Sequence, residues 1–363
     1  MKYYSSEKID KIGAQYNMII SGRSDGKTYD IQKKIITKYA TAGEQGALVR
    51  RWTEDFTGKR GQQMFSALVE NGEIEKATGG RWNNIKYYAS KWYFCNFDAE
   101  SHKIVETDET PFCFGFALTS YEHDKSTSYN GVTTILFDEF MTKFNYLADE
   151  FIMFCNVVST IVRQRTNVKI YMLGNTVTKF CPYFKEMGLV HIDKMKPGTI
   201  DVYQYGDSGL KVAVEYPDIT RGGLFKKKSD IYFAFDNPKL QMIKTGAFEL
   251  DIFPHCPRKY KPDEIQFIFF VIFSGKILQC EIVSNGNDCF VFVHPKTTEI
   301  QKPEQDLIYT PDKNMNQLNV RKNFMYPTDT IDSQIRDLYN AGRFCYNDNE
   351  TGDIFKNFIL SVK

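Results

Sequence analysis

The sequence predicts a mixed α/β protein built on a mainly parallel sheet. Through the first half, short apolar runs alternate with helical periodicities. The run Thr133–Phe137 (TTILF) has the unbroken apolar character of a strand covered on both faces. A glycine-containing turn joins the first apolar run to the first helical pattern.

In chain order, Asn17 to Ser21 reads as the first strand and Lys27 to about Ala40 as the first helix. Gly46 to Arg51 is expected to be the second strand. Residues 56–120 break the alternation. There Tyr93–Phe97 and Lys103–Val105 flank the polar turn 98–102, and the spacing predicts a hairpin inserted between two core strands. Thr133–Phe137 follows as a buried strand. Phe151, Phe154, Val158 and Ile161 recur at steps of three and four, so 149–164 is expected to be an amphipathic helix. Val168–Leu173 is the next buried strand. From residue 197 turn signals accumulate at Pro197–Gly198, Gly206–Gly209 and Arg221–Gly223. Ile265–Phe273, Ile277–Val283 and Cys289–His294 then read as an antiparallel meander. Ile331, Ile335 and Leu338 mark one face of a later helix that Gly342 would stop.

Composition narrows the function classes. With 363 residues, 42% hydrophobic and 25% charged, the chain fits a soluble protein of two or three domains. A net charge of +1 excludes a simple basic nucleic-acid coat, so any DNA contact must come from local patches. Eight cysteines without a CxxC pair argue against a zinc ribbon and for buried free thiols in a reducing compartment. No apolar leader opens the chain and no stretch is long enough to span a bilayer, so neither secretion nor a membrane is expected.

Residues 21–28 read SGRSDGKT, ending as the phosphate-binding loop GxxxxGK[ST] ends. Gly22 and Gly26 would let backbone N–H groups close around phosphate oxygens at a helix N-terminus. Lys27 would reach the β- and γ-phosphates of ATP, and Thr28 would ligate Mg²⁺. Ser21 stands where the motif has its first glycine. TTILF then delivers Asp138 and Glu139 to a strand tip, the edge where open α/β sheets bind ligands. Asp138 would hold Mg²⁺ and Glu139 would act as general base on water. An acid directly after the metal-binding aspartate points to the additional-strand (ASCE) class of P-loop ATPases. Arg163 and Arg165 end the amphipathic helix, either as transition-state cations or as helix C-terminal caps. Asn175, after VKIYML, would orient a lytic water or simply form a turn. Arg50 and Arg51 close the second strand, facing phosphate, a neighbouring subunit or solvent.

In these stretches the chain resembles the DNA-packaging ATPases (DNA encapsidation proteins) of phi29-like bacteriophages. The likeness rests on SGRSDGKT at 21–28, GEQGALVRRW at 43–52, EHDKSTSYNGVTTILFDEF at 122–140 and TIVRQRTNVKIYMLGNTV at 160–177. The resemblance implies nucleotide and Mg²⁺ roles for Lys27 and Thr28. It implies Asp138 as the Walker B acid, Glu139 as the catalytic glutamate, and Arg163 as an arginine finger acting across a subunit boundary. Asn175 falls at the sensor position, and Arg50 and Arg51 at a basic pair near the nucleotide. Thr53 stands where close relatives carry a lysine. The implied architecture is an ASCE ATPase domain over 1–196, a linker domain over 197–245, and an α+β vestigial RNase H-like nuclease domain over 246–363. The implied assembly is a homopentameric ring in the host cytoplasm, docked on the portal of a procapsid, with double-stranded DNA and a packaging RNA as partners.

Asp251, Glu264 and Glu281 form no distinctive nuclease cluster in sequence, and Lys226–Lys228 and Arg258–Lys261 are the densest basic runs. A catalytically silent nucleotide-binding scaffold and another P-loop nucleic-acid motor are the rival readings.

Overall fold

Tyr16 to Ser21 alternates its apolar side chains between two buried faces, and around this strand the first sheet is assembled. Chain order through the sheet is β1 (Tyr16–Ser21), helix Lys27–Ala42, β2 (Gln45–Arg50), short helices between residues 58 and 78, β3 (Asn84–Tyr88), β4 (Lys91–Asp98), β5 (Lys103–Thr107), β6 (Cys113–Ala117), β7 (Val132–Asp138), helix Glu150–Val162, β8 (Lys169–Asn175), helix Pro182–Glu186, β9 (Thr199–Tyr205) and β10 (Leu210–Tyr216). The computed structural model describes residues 3–22, 25–120, 128–142, 146–175, 181–218, 252–286, 288–312, 314–315 and 317–362. It divides into two units, Met1–Phe248 and Glu249–Lys363.

The strand order of the first unit is β3-β4-β6-β2-β7-β8-β1-β10-β9, with β5 on β4. From β6 to β10 every pairing is parallel. One strand, β8, stands between β1 and β7, which is the added strand of the ASCE arrangement. Parallel strands need covering on both faces. Met18, Ile20, Ile135 and Phe137 point to the face packed by Phe154, Val158 and Ile161 of helix Glu150–Val162. Ile19, Leu48 and Leu136 point to the other, packed by Ile31, Ile35 and Ile36 of helix Lys27–Ala42. Gly46 lets that helix approach, since a Cβ there would lie 2.4 Å from Ile35.

The predicted elements of this half are all present, with ends shifted by one or two residues. The domain boundary is corrected. Residues 199–216, expected in the linker, form the β9–β10 hairpin, and β10 lies parallel on β1 in the register Tyr16↔Val212. Without β10 the central strand β1 would be an edge with unpaired N–H and C=O groups. The sheet therefore runs past residue 196. Residues 219–245, the rest of the expected linker, lie outside the described residues, as do Lys226–Lys228 and Asp251.

The second unit contains β11 (Ile265–Phe273), β12 (Lys276–Ser284), β13 (Cys289–Lys296), β14 (Ile308–Tyr309), β15 (Val320–Arg321) and β16 (Phe344–Tyr346). The order is β15-β14-β11-β12-β13-β16: the expected antiparallel meander, flanked by parallel additions on both sides. The predicted helix spans Thr330–Asn340 and is capped by the Asp329 side chain. Gly342, just beyond it, takes φ +67° as a stop requires. A further helix, Asn349–Ser361, packs Phe355 and Phe358 among Phe324, Phe344 and Phe273.

Candidate active site

Three neighbouring parallel strands bring their last residues to one edge: Ser21 on β1, Asn175 on β8 and Asp138 on β7. Ser21 pairs with Asn175, and Asp138 with Leu173. The chain leaves β1 through Gly22 and re-enters regular structure at Gly26, whose φ of +91° is one that side-chain-bearing residues avoid. The N-terminal segment braces this loop, because the Tyr4 amide donates to the Asp25 carbonyl at 2.9 Å.

The first helical residues point back at the strand tips. Lys27 is buried, and its Nζ donates to the Gly22 carbonyl at 2.8 Å and to Asn175 Oδ1 at 3.2 Å. The Thr28 hydroxyl donates to Asp138 Oδ1 at 3.1 Å. Ser21, the departure from the glycine pattern, is buried as the final strand residue with its hydroxyl on the Gly22 carbonyl. A β-carbon is therefore tolerated there.

Asp138 and Glu139 are adjacent in sequence but differ in environment. The Asp138 side chain is 7% exposed and that of Glu139 64%. Glu139 takes φ +59°, a left-handed conformation that costs a glutamate about 1–2 kcal/mol. Arg50 spans the two, with Nη2 2.7 Å from Asp138 Oδ2 and Nη1 2.7 Å from Glu139 Oε2. Burial pushes the Asp138 carboxyl up; Arg50 pulls it down, Glu139 pushes it up again, and Thr28 and Lys27 pull it down. Two carboxylates this unequal in exposure suit a division of labour, the buried acid for a cation and the exposed one for contact with water.

Arg51 is a correction. Expected beside the nucleotide, it lies buried on the far side of the acid turn, in a two-pronged ion pair with Glu150 at 2.7 and 2.8 Å. Consecutive residues leaving a strand face opposite ways, so only one of the arginine pair can meet the acids. Sequence reasoning missed Glu150 and Tyr183, whose hydroxyl donates to Glu150 at 3.0 Å. The available signal was a lone acid opening a strongly apolar helix.

Arg163 and Arg165 separate as well. Arg165 caps helix Glu150–Val162 through the Ile161 carbonyl and binds the carbonyls of Tyr129, Asn130 and Val132, at the start of β7. Arg163 is exposed at this same end, with φ +51°. Asp138 is at the other end of the seven-residue strand, about 20 Å away at a rise of about 3.3 Å per residue. Arg163 and the acids of one chain are therefore at opposite edges of the sheet.

In the second unit Glu264 and Glu281 have separate partners. Glu264 pairs with Arg258 at 2.6 Å, and Glu281 is held by Tyr260 and Gln279 at 2.6 Å and by His294 at 3.3 Å. Among the described residues no group of three or more His, Cys, Asp or Glu is placed to hold a metal ion.

A parallel sheet with one added strand between the phosphate-loop strand and the acid strand, and a lysine, threonine and paired acids at its tip, defines an ASCE-type P-loop protein. Comparison with known proteins narrows this further. The family described as Podovirus DNA encapsidation protein (Gp16) matches residues 1–324, and the chain belongs to that family. The DNA packaging protein of Bacillus phage B103 is 28% identical over 263 residues, covering 71% of this chain and 71% of that protein. That of Bacillus phage phi29 is 26% identical over 277 residues, covering 75% and 73%. The bacteriophage phi29 viral genome packaging motor assembly contains a chain of the same fold, with a TM-score of 0.56 at 18% identity and 99% coverage of both chains.

Proposed function

We propose that this chain is the ATP-hydrolysing subunit of a motor that drives double-stranded viral DNA into a procapsid. The observation that carries the reading is the Thr28–Asp138 contact, which joins the phosphate loop to the acid strand across β8. Two hard oxygen donors 3.1 Å apart, beside a buried lysine, suit a divalent cation on a triphosphate. Thr28 and Asp138 would hold Mg²⁺, which when bound neutralises charge on the β- and γ-phosphates. Gly22, Gly26 and Lys27 bind the triphosphate. Glu139 takes the proton of the attacking water, with Asn175 orienting it. Arg50 holds both acids and sets the direction of the Glu139 carboxylate.

Arg163 acts on the γ-phosphate of a neighbouring copy. Support for action in trans is that the helix end carrying Arg163 lies by the start of β7, whereas the acids lie at its end. A head-to-tail contact of that kind closes into a ring, which the family resemblance gives as five subunits on the portal. The second unit is read as a vestigial RNase H-like domain that docks DNA, the portal or a packaging RNA rather than cutting. That Glu264 and Glu281 are held by separate partners supports this.

The deciding experiment is packaging with purified procapsids, ATP and genomic DNA, scored by protection from nuclease. Protection by the wild type and none by Glu139→Gln is the expected result. ATP-independent protection overturns the motor reading.

A further inference from the structure

The acid turn of the candidate site is held from behind by a buried assembly that the nucleotide chemistry does not use. Arg51 Nη2 donates to the Phe140 carbonyl at 2.9 Å, and Nη1 donates to the Glu139 carbonyl at 3.4 Å. The rest of its guanidinium grips Glu150, the first residue of helix Glu150–Val162. Glu150 also accepts from the Leu147 amide at 2.8 Å and from the Tyr183 hydroxyl at 3.0 Å. The Tyr146 ring lies against the guanidinium at 5.2 Å. Arg51 and Glu150 are 7% and 2% exposed, so water does not compete for these bonds.

The two residues whose carbonyls Arg51 holds are the catalytic glutamate of the proposed reaction and its successor. Glu139 is in an unfavourable left-handed conformation, which persists only where the surroundings impose it. Arg51 supplies that constraint. The same ion pair fixes the start of the helix whose far end leads into Arg163.

We infer that Arg51 and Glu150 are positioning residues. They hold the backbone of the acid turn so that the Glu139 carboxylate meets the water, and they tie that turn to the helix leading to Arg163. This rests on the ATPase reading above. A buried pair placed only for stability can often be replaced by apolar residues without loss. A positioning pair cannot, because misplacing a general base by about 1 Å costs on the order of 10²-fold in rate.

The test compares wild type, Arg51→Lys and the double variant Arg51→Met/Glu150→Leu, which leaves no buried charge alone. ATP turnover is read beside binding of a fluorescent ADP analogue and the thermal midpoint. Lysine keeps the charge but not the fork that reaches Glu150 and two carbonyls together. The expected result is variants that fold and bind ADP within about three-fold of wild type, with kcat reduced at least about ten-fold and KM little changed. A folded variant of either kind that turns over at the wild-type rate overturns the positioning role. If the double variant does not fold, Arg51→Lys decides alone. If neither folds, the pair is structural and the inference fails. A wild-type protein that hydrolyses nothing under packaging conditions defeats the ATPase reading instead, and the two failures are thereby distinct.

Discussion

The two units place their paired acids in different settings. In the first, Asp138 and Glu139 are adjacent at a strand tip and share Arg50, and Asp138 accepts from the Thr28 hydroxyl. In the second, Glu264 and Glu281 have separate partners, Arg258 and the Tyr260–Gln279–His294 set, while Asp329 and Asp332 share Arg321 at the start of helix Thr330–Asn340 rather than at the tip of a parallel strand. Like charges kept side by side oppose folding and need compensation from elsewhere. Acids that cap a helix or meet a cation in a complementary setting stabilise what they join. The contrast sets the candidate site against polar groups that secure a fold.

The largest effect is expected from Arg163→Ala in every subunit. On the role in trans proposed for it, its loss should lower turnover by about 10³-fold or more. In mixed rings the loss should outrun the fraction of variant subunits, and a strictly proportional decline would put Arg163 outside the site. Next is Glu139→Gln, expected to cost about 10²–10⁴-fold in kcat with ADP binding retained. Glu281→Gln, its counterpart in the contrast, should leave turnover unchanged. Activity lost equally in both would dissolve the distinction between the units.

Arg50→Ala sharpens the same comparison through pH. Arg50 pulls the raised Asp138 carboxyl downward, so its removal lets burial and Glu139 push that group up further. More Asp138 is then protonated at a given pH, and the acid limb of Mg²⁺-dependent nucleotide binding should move to higher pH. A pH titration of ADP binding at fixed Mg²⁺ reads the shift; no movement would mean that Arg50 and Asp138 are not coupled.

The smallest effect belongs to the second unit. The hydrogen bond from His294, working against burial and joined by Tyr260 and Gln279, lowers Glu281 from 4.5 to about 2. A depressed carboxyl contributes stability above its unfolded value and loses it as pH falls through the folded one. Wild type should therefore lose about 1–2 kcal/mol, after solvent screening, between pH 4.5 and 2. Hydrogen exchange of the β11–β13 amides, corrected for intrinsic rates, should show this loss in wild type and not in Glu281→Gln.

Much of this was legible in the residue order. Strand and helix periods are local, so β1, β7, β8, the meander and helix Thr330–Asn340 follow from patterns of two and of three to four. The phosphate-loop residues and the acid pair were readable because their chemistry demands particular residues at a strand tip. Helix Asn349–Ser361 and β10 went unread. Turn signals around residues 198–209 suggested the end of a domain, whereas they belong to a hairpin that completes the same sheet.

The sequence by itself determined which residues could bind a triphosphate and a cation, since a loop, a lysine, a threonine and two acids are specified by type and local spacing. Only the tertiary structure decided which of two adjacent arginines meets those acids, where the other finds its counter-charge, and that the helix leading to Arg163 ends by the start of β7 rather than by the acids. Those outcomes depend on pairings such as Arg51 with Glu150, 99 positions apart, and on the direction in which a helix returns beneath a sheet. No local pattern encodes either one. The burial that makes such an ion pair matter exists only once the layers have packed.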